Sequence, residues 1–321
     1  MTTTTTSPQN AEEKPSQEKP NVDTSPATAP TAAPAKVRKE LSPRMWVLSS
    51  ASLIVGGLLL GLVFNLLLFS PLRHARDQQV TYASFRSDLA NAIAPIGSTA
   101  NTGGLVPLGA PVALLQIPAL GINEVVLEGS TSVVLMSGPG HMRNSVLPGQ
   151  AGHSVVMGRA TSFGGPFSAI GDLQPGTEFT AVTGQGEHTY KVTAIRLNGE
   201  KPTALAPGEG RLTLVTAAGS PYLPSGLVQV DAVLTSDSAA RTDAVPSAAY
   251  MSPAEAPLAG DNSAAVGLLL WSALLLGAAV LLVWMSTRWG TWQTWVVAVP
   301  VVTALGVAVT NHIIMFLPNL I

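Results

Sequence analysis

Thr183-Gly184-Gln185-Gly186 runs directly into Glu187-His188-Thr189-Tyr190-Lys191-Val192-Thr193-Ala194-Ile195, and this stretch decides the fold class. Side chains along a strand point to alternate faces, so alternation of polar and apolar residues marks a half-buried strand. The glycine-containing turn joins it back to Glu178–Val182 as a hairpin. Short runs of the same kind recur between Gly and Pro residues at Val112–Ile117, Ser154–Met157, Arg211–Ala217 and Leu227–Leu234. Many short strands with little helix predict a mainly β domain over residues 110–235, built as a closed or nearly closed barrel.

Outward from this domain the composition changes twice. Residues 72–109 read as a stalk helix followed by a Gly- and Thr-containing linker. Tyr82, Phe85, Leu89 and Ile93 fall on one helical face. Residues 236–262 are rich in Ser, Ala, Pro and Asp and read as a flexible tether.

Beyond these lie three apolar runs, each long enough for a transmembrane helix at about 20 residues per crossing. The first covers 45–71, the second 263–286 and the third 291–316. A cleaved signal peptide is the competing reading of the first. That reading asks for an apolar core of about 7–15 residues and a small-residue cleavage site. The run here is longer, and Phe69-Ser70-Pro71-Leu72 is a poor site.

Residues 1–44 form a Thr-, Pro- and Ala-rich tail too poor in core-forming side chains to fold, so a disordered segment is expected. Its basic cluster, Lys36, Arg38, Lys39 and Arg44, places the N-terminus in the cytoplasm by the positive-inside rule. The β domain then lies outside the plasma membrane of a multi-pass protein, and Arg288 falls back inside. Trp284, Trp289, Trp292 and Trp295 cluster at the turn of the C-terminal hairpin, as an interfacial aromatic belt does. His312 sits near the opposite interface, where a plain interfacial role is the simpler reading.

The chain has 321 residues, a formal net charge of −2 and no cysteine. The charge offers nothing to nucleic acid. The missing cysteine removes disulfides, thiolate nucleophiles, Cys-ligated zinc and iron–sulfur clusters. The 5 histidines are scattered without ligand spacing, so no metal and no cofactor are expected.

Several motifs inside the β domain resemble those of sortases. Gln116-Ile117-Pro118-Ala119-Leu120-Gly121-Ile122 and Val126-Leu127-Glu128-Gly129-Ser130-Thr131 are similar to their opening strands. Gly138-Pro139-Gly140-His141 and Leu147-Pro148-Gly149-Gln150-Ala151-Gly152 resemble the loop leading to the catalytic His. Gly164-Gly165-Pro166-Phe167 resembles the segment after it, and Arg211-Leu212-Thr213-Leu214-Val215-Thr216 the strand ending in the catalytic Cys. The matches run in the family's order over residues 112–234 and are nearest the actinobacterial, Gram-positive type grouped as class D or E. The resemblance implies a sortase-like closed β-barrel at the cell surface. It also implies a peptide transpeptidase chemistry that uses a Cys nucleophile, a His acid/base and an Arg.

The positions that align with those three residues are Ala217, Arg159 and Gly226. A methyl group cannot attack a carbonyl, and a guanidinium does not act as a base in water. The expectation is therefore a pseudoenzyme, with Arg159, His141, His153, Thr216 and Ser220 as candidate groove or ligand-binding residues. A lone Arg at the old base position could clamp a carboxylate or phosphate.

Three functions remain open. The former groove could bind a peptide, a cell-wall component or a membrane partner. The C-terminal hairpin could scaffold a membrane complex. A Ser or Thr beside His141 or His153 could support a hydroxyl-based hydrolase or transpeptidase, although no Gly-x-Ser-x-Gly elbow is present.

Overall fold

A computed structural model describes residues 56–57, 59–61, 63–100, 103–198, 200–242, 244–289 and 291–321. The expected disordered tail at 1–44 and the first part of the expected span, 45–55, lie outside the described residues. From residue 56 onward the chain is helical where described, with a π-turn at Asn65–Phe69, and it continues into α1, Ser70–Ala90.

The domain is a closed barrel of eight strands. In chain order these are β1 (Pro111–Ile117), β2 (Ile122–Glu128), β3 (Gly140–His141), β4 (Gly152–Met157), β5 (Glu178–Thr183), β6 (Gly186–Leu197), β7 (Gly210–Ser220) and β8 (Leu223–Leu234). Around the barrel the order is β1-β2-β3-β4-β7-β8-β6-β5. The pairs are antiparallel except β2 with β3 and β4 with β7. The Thr183–Gly186 turn closes the β5–β6 hairpin, with Phe179 opposite Tyr190 and their rings stacked at 5.6 Å. Tyr190 and Val192, two residues apart, both enter the core with Leu212 and Leu214 of β7. Alternation along β6 and β7 thus fills the barrel from one face of each strand.

α1 is not a free stalk. His74, Gln78 and Phe85 face the barrel, while Tyr82 and Ile93 are exposed, so the apolar face read from the sequence is only half correct. Polar groups do much of the docking. The Gln78 amide donates to the carbonyls of Val125 and Ser137 and accepts from the Val125 N–H at 2.7 Å. One side chain therefore satisfies both main-chain groups of Val125, as a neighbouring strand would. His74 Nε2 meets the Glu124 carboxylate at 3.1 Å.

The end of the expected tether packs down. Glu255 is buried in a turn started by Ser252, and the Glu255 carbonyl accepts from Ser130 Oγ at 2.6 Å. Apolar content was low there, but side-chain capping and buried hydrogen bonds order the segment instead.

Two helices, α3 (Ala264–Trp289) and α4 (Thr291–Phe316), form an antiparallel hairpin. Both are long and apolar enough to cross a membrane. Trp284, Trp289, Trp292 and Trp295 are exposed at its turn, and Arg288 lies over the Trp284 ring. His312 is held within the hairpin, its Nδ1 donating to the Ala308 carbonyl at 2.9 Å and its ring against Gly267.

Gln78→Leu keeps the helix but leaves the Val125 N–H and carbonyl unpaired. We expect a loss of about 1–3 kcal/mol in thermal or denaturant unfolding of the full chain in detergent. A neutral result would show that water replaces the amide.

Candidate functional site

β4 ends at Met157, and the chain turns through Gly158-Arg159-Ala160 along the end of β7. Gly158 must be glycine, because a Cβ there would collide with the Phe167 ring. Opposite it, Thr216 Oγ1 donates to the Gly158 carbonyl at 2.9 Å, so this hydroxyl is spent on tying β7 to the turn. Ala217, next along β7, packs with Met157, Val215 and Leu227. Ala217, Ser220, Ala160 and Thr161 surround a cavity of only about 20 Å³. Ser220 is at its exposed rim.

Arg159 points the other way and is 1% exposed. Its Nε donates to the Leu135 carbonyl at 3.1 Å and its Nη2 to the Ser132 carbonyl at 3.1 Å. Both acceptors lie on α2, Ser132–Ser137, whose start is capped by the Thr131 hydroxyl. Nη1 donates to Ser162 Oγ at 3.0 Å and to the Ile321 main-chain oxygen at 2.9 Å. Ser162 Oγ donates to the same Ile321 oxygen. The Phe163 ring lies 5.2 Å from the guanidinium carbon. Burial lowers Arg159 from its ordinary 12.5 to about 9, so at neutral pH it remains a cation. With four hydrogen bonds to buried oxygens it is a structural cation rather than an open anion clamp.

The surprise is what fills this end of the barrel. Residues 317–321, just past α4, turn back across it. The Leu320 carbonyl accepts from the Ala160 N–H at 2.9 Å, and Leu320 is buried in the cluster that holds Ala217. Asn319 is fully buried, its amide donating to the carbonyls of Ser130 and Ala256 at 2.9 Å each. Ile321 lines the small cavity beside Ala217 and Ser220. The sequence reading stopped at Phe316. A usable signal was Pro318, which ends the helix, followed by the apolar pair Leu320-Ile321.

Gly226, expected from the sequence to stand at the family's Arg position, lies on β8 opposite Ala218. A side chain there would collide with Asn198, whose Oδ1 accepts from the Leu227 N–H at 2.8 Å.

His141 and His153 do not line the small cavity. His141 is buried on β3, its Nδ1 donating to Glu128 at 2.9 Å and its Nε2 to the Val146 carbonyl at 2.9 Å. Ser145 Oγ, missed by the sequence reading, lies 3.1 Å from the same Nε2. A Glu–His–Ser line of this kind resembles a catalytic relay, but the protons run the wrong way. Both ring nitrogens donate, leaving no lone pair to take a proton, and Ser145 Oγ already donates to the Met142 carbonyl at 2.7 Å. Burial alone would lower His141, yet the Glu128 charge and hydrogen bond and the Val146 carbonyl together outweigh it, and its pKa is raised.

His153 belongs to another polar cluster. Its Nε2 donates to Thr213 Oγ1 at 2.7 Å, and Thr213 donates to Asp231, which also holds Arg196 in a two-point ion pair. Burial lowers the His153 pKa, with Arg211 and Arg196 adding to that and Asp231 opposing it. Burial pushes Asp231 up, but its bonds from Arg196 and Thr213 prevail and hold it low.

Residues 115–224 match the family model for the Sortase domain. Sortase D of Bacillus subtilis is 25% identical over 97 residues, or 30% of this chain and 48% of that protein. The chain therefore spans about half the length of the curated relative it matches. Among solved structures, the Sortase D5 transpeptidase of Clostridium perfringens matches with 23% identity and a TM-score of 0.42, covering 50% of this chain and 99% of that one. Sortase E of Streptomyces avermitilis matches with 28% identity and a TM-score of 0.35, covering 41% and 91%.

The His141–Glu128 pair adds stability that is complete below the unfolded-state pKa, about 6.5, and is lost as pH rises through the higher folded value. His153 has the opposite sign, its contribution falling away as pH drops below about 6.5. His141→Gln should flatten the alkaline decline in melting temperature and leave the acidic one in place. A profile unchanged on the alkaline side would show that His141 does not carry it.

Proposed function

The chain carries a sortase-family domain, and on that premise we propose that it holds peptide without cutting it. The groove region faces the outside of the plasma membrane and is closed at rest by the chain's own residues 317–321. The observation that carries this reading is the pair of aligned positions. Ala217 supplies a methyl where the family has its nucleophile. Arg159 supplies a buried, hydrogen-bonded cation where the family has its base. Transpeptidation needs a polarisable nucleophile and a group that exchanges protons near neutral pH. Neither position offers one. The proposed ligand is peptide, because Leu320 already accepts a main-chain hydrogen bond from Ala160 N–H and buries an apolar side chain beside Ala217.

The test opens the groove. Leu320→Asp places a carboxylate in an apolar cluster and should release residues 317–321, read as loss of exchange protection at the Ala160 amide. The variant should then capture sorting-type peptides at least tenfold better than the parent protein, with no cleavage and no hydroxylamine-trapped adduct in either. Release of the tail without gain of peptide binding would sink the groove reading. Cleavage by the parent protein would sink the claim of silence.

A second reading treats the hairpin as the working part, scaffolding a membrane complex. It is favoured by the coupling of α4 to the barrel. Ile314 and Met315 pack with Met136 and Phe163, and Asp261 N–H bonds the Met315 carbonyl at 3.0 Å. The hydroxyl-based hydrolase is the weakest of the three, because the His141 and His153 side chains both donate to the oxygens they meet.

We also assign the chain three spans, with the N-terminus cytoplasmic. Because the sequence has no cysteine, a single introduced one reports its own side. Lys201→Cys should react with an impermeant maleimide on intact cells, and Arg38→Cys only after permeabilisation. The reverse pattern would invert the topology.

A further inference from the structure

Between the helix at 56–69 and the C-terminal hairpin lies an apolar cleft of about 870 Å³. That is within the range of roughly 300–1,000 Å³ typical of ligand sites. Its floor comes from residues such as Leu60, Phe64, Leu275 and Val302. Small residues hold it open. Gly57 and Gly61 form a Gly-x-x-x-Gly spacing that usually brings helices into contact. Here a Cβ on either glycine, or on Gly306 across the cleft, would meet nothing within 4 Å.

The cleft changes character at its outer end. Asn65, Phe69 and Val307 are shared with a second cavity of about 370 Å³, which Arg73, Arg76 and Asn311 complete. Asn65 is 5% exposed, and its Nδ2 donates to nothing among the described residues. It opens the π-turn Asn65–Phe69, an element that often marks a functional position in a helix. Arg73 leans on Asp77 at 3.7 Å, and that carboxylate also accepts from Ser137 Oγ. Arg76 is exposed and makes no ion pair among the described residues.

We propose that this continuous cleft binds an anionic phospholipid. An acyl chain would lie along Leu60, Phe64 and Val302, and the phosphate would sit among Arg73, Arg76 and the Asn65 amide. An apolar trough alone would suit any helix or lipid. The cationic mouth and the buried unpaired donor at its outer end select a ligand with one charged, accepting head. This rests on the reading that these helices cross the membrane.

The test uses the full chain, loaded from vesicles of phosphatidylglycerol or phosphatidylcholine, washed in lipid-free detergent and assayed for retained lipid. Phosphatidylglycerol should be retained about thirtyfold over phosphatidylcholine, the fold-change of two basic residues at roughly 1 kcal/mol each at an anionic surface. Arg73→Gln with Arg76→Gln should bring the two lipids to parity. Gly306→Leu should reduce retention of both, while Gly277→Leu, on the hairpin but outside the cleft, should not.

Equal retention of both lipids by the parent protein would overturn the proposal. So would normal retention by Gly306→Leu. Loss of a cross-linked dimer in Gly306→Leu with lipid unchanged would assign the cleft to a second copy. Alkaline carbonate extraction separates the two failures. Release of the parent protein from membranes would refute the spanning reading. Firm insertion without lipid preference would refute this site alone.

Discussion

A guanidinium with 1% of its surface exposed is the constraint around which this molecule is arranged. Moving a charge out of water costs several kcal/mol even after relaxation, unless acceptors replace the lost hydration. Arg159 meets that demand with the carbonyls of Ser132 and Leu135, the Ser162 hydroxyl, the Ile321 oxygen and the face of Phe163. These groups come from α2, the turn after β4 and the segment beyond α4. One cation therefore fixes three parts of the chain that share no sheet hydrogen bonds. The apolar C-terminal hairpin is tied to the barrel through the same point.

His141 and Asp231 are likewise held by hydrogen bonds. His141 gives both protons away, to Glu128 and Val146. Asp231 is shared among Arg196 and Thr213, and Thr213 in turn accepts from His153. Reactive groups need a free lone pair and room for a substrate. His141 has no free lone pair, and the room beside Ala217 is about 20 Å³. His141, His153 and Thr216, which sequence alone leaves as reactive candidates, are tied into hydrogen bonds in the folded chain.

The barrel was legible because its signals are local. Alternation in β6, the Thr183–Gly186 turn and the ordered Gly/Pro motifs each report on neighbours a few residues away. The two hairpin helices were legible from length and hydropathy. What escaped was long-range and polar. Gln78 looks like an ordinary surface residue of a helix, and only the fold reveals that it completes the hydrogen bonding of Val125, 47 residues on. Arg159 could be placed at the family's His position, but its acceptor at Ile321 is 162 residues away. The packing of Glu255 was hidden for another reason, since acids in a Ser/Pro/Ala segment are normally solvated.

Residues 317–321 also set an order of events in biosynthesis. Every strand of the barrel is made before them, and chains emerge at about 5–20 residues per second, folding domain by domain. While α3 and α4 are still being made, Arg159 lacks the Ile321 acceptor, and Ala160 lacks the Leu320 carbonyl. The barrel end stays open during that interval. It closes only once α4 is complete and residues 317–321 can turn back across it. Completion of the barrel end thus waits on these last residues, and an unsealed end marks each chain whose residues 317–321 have not docked.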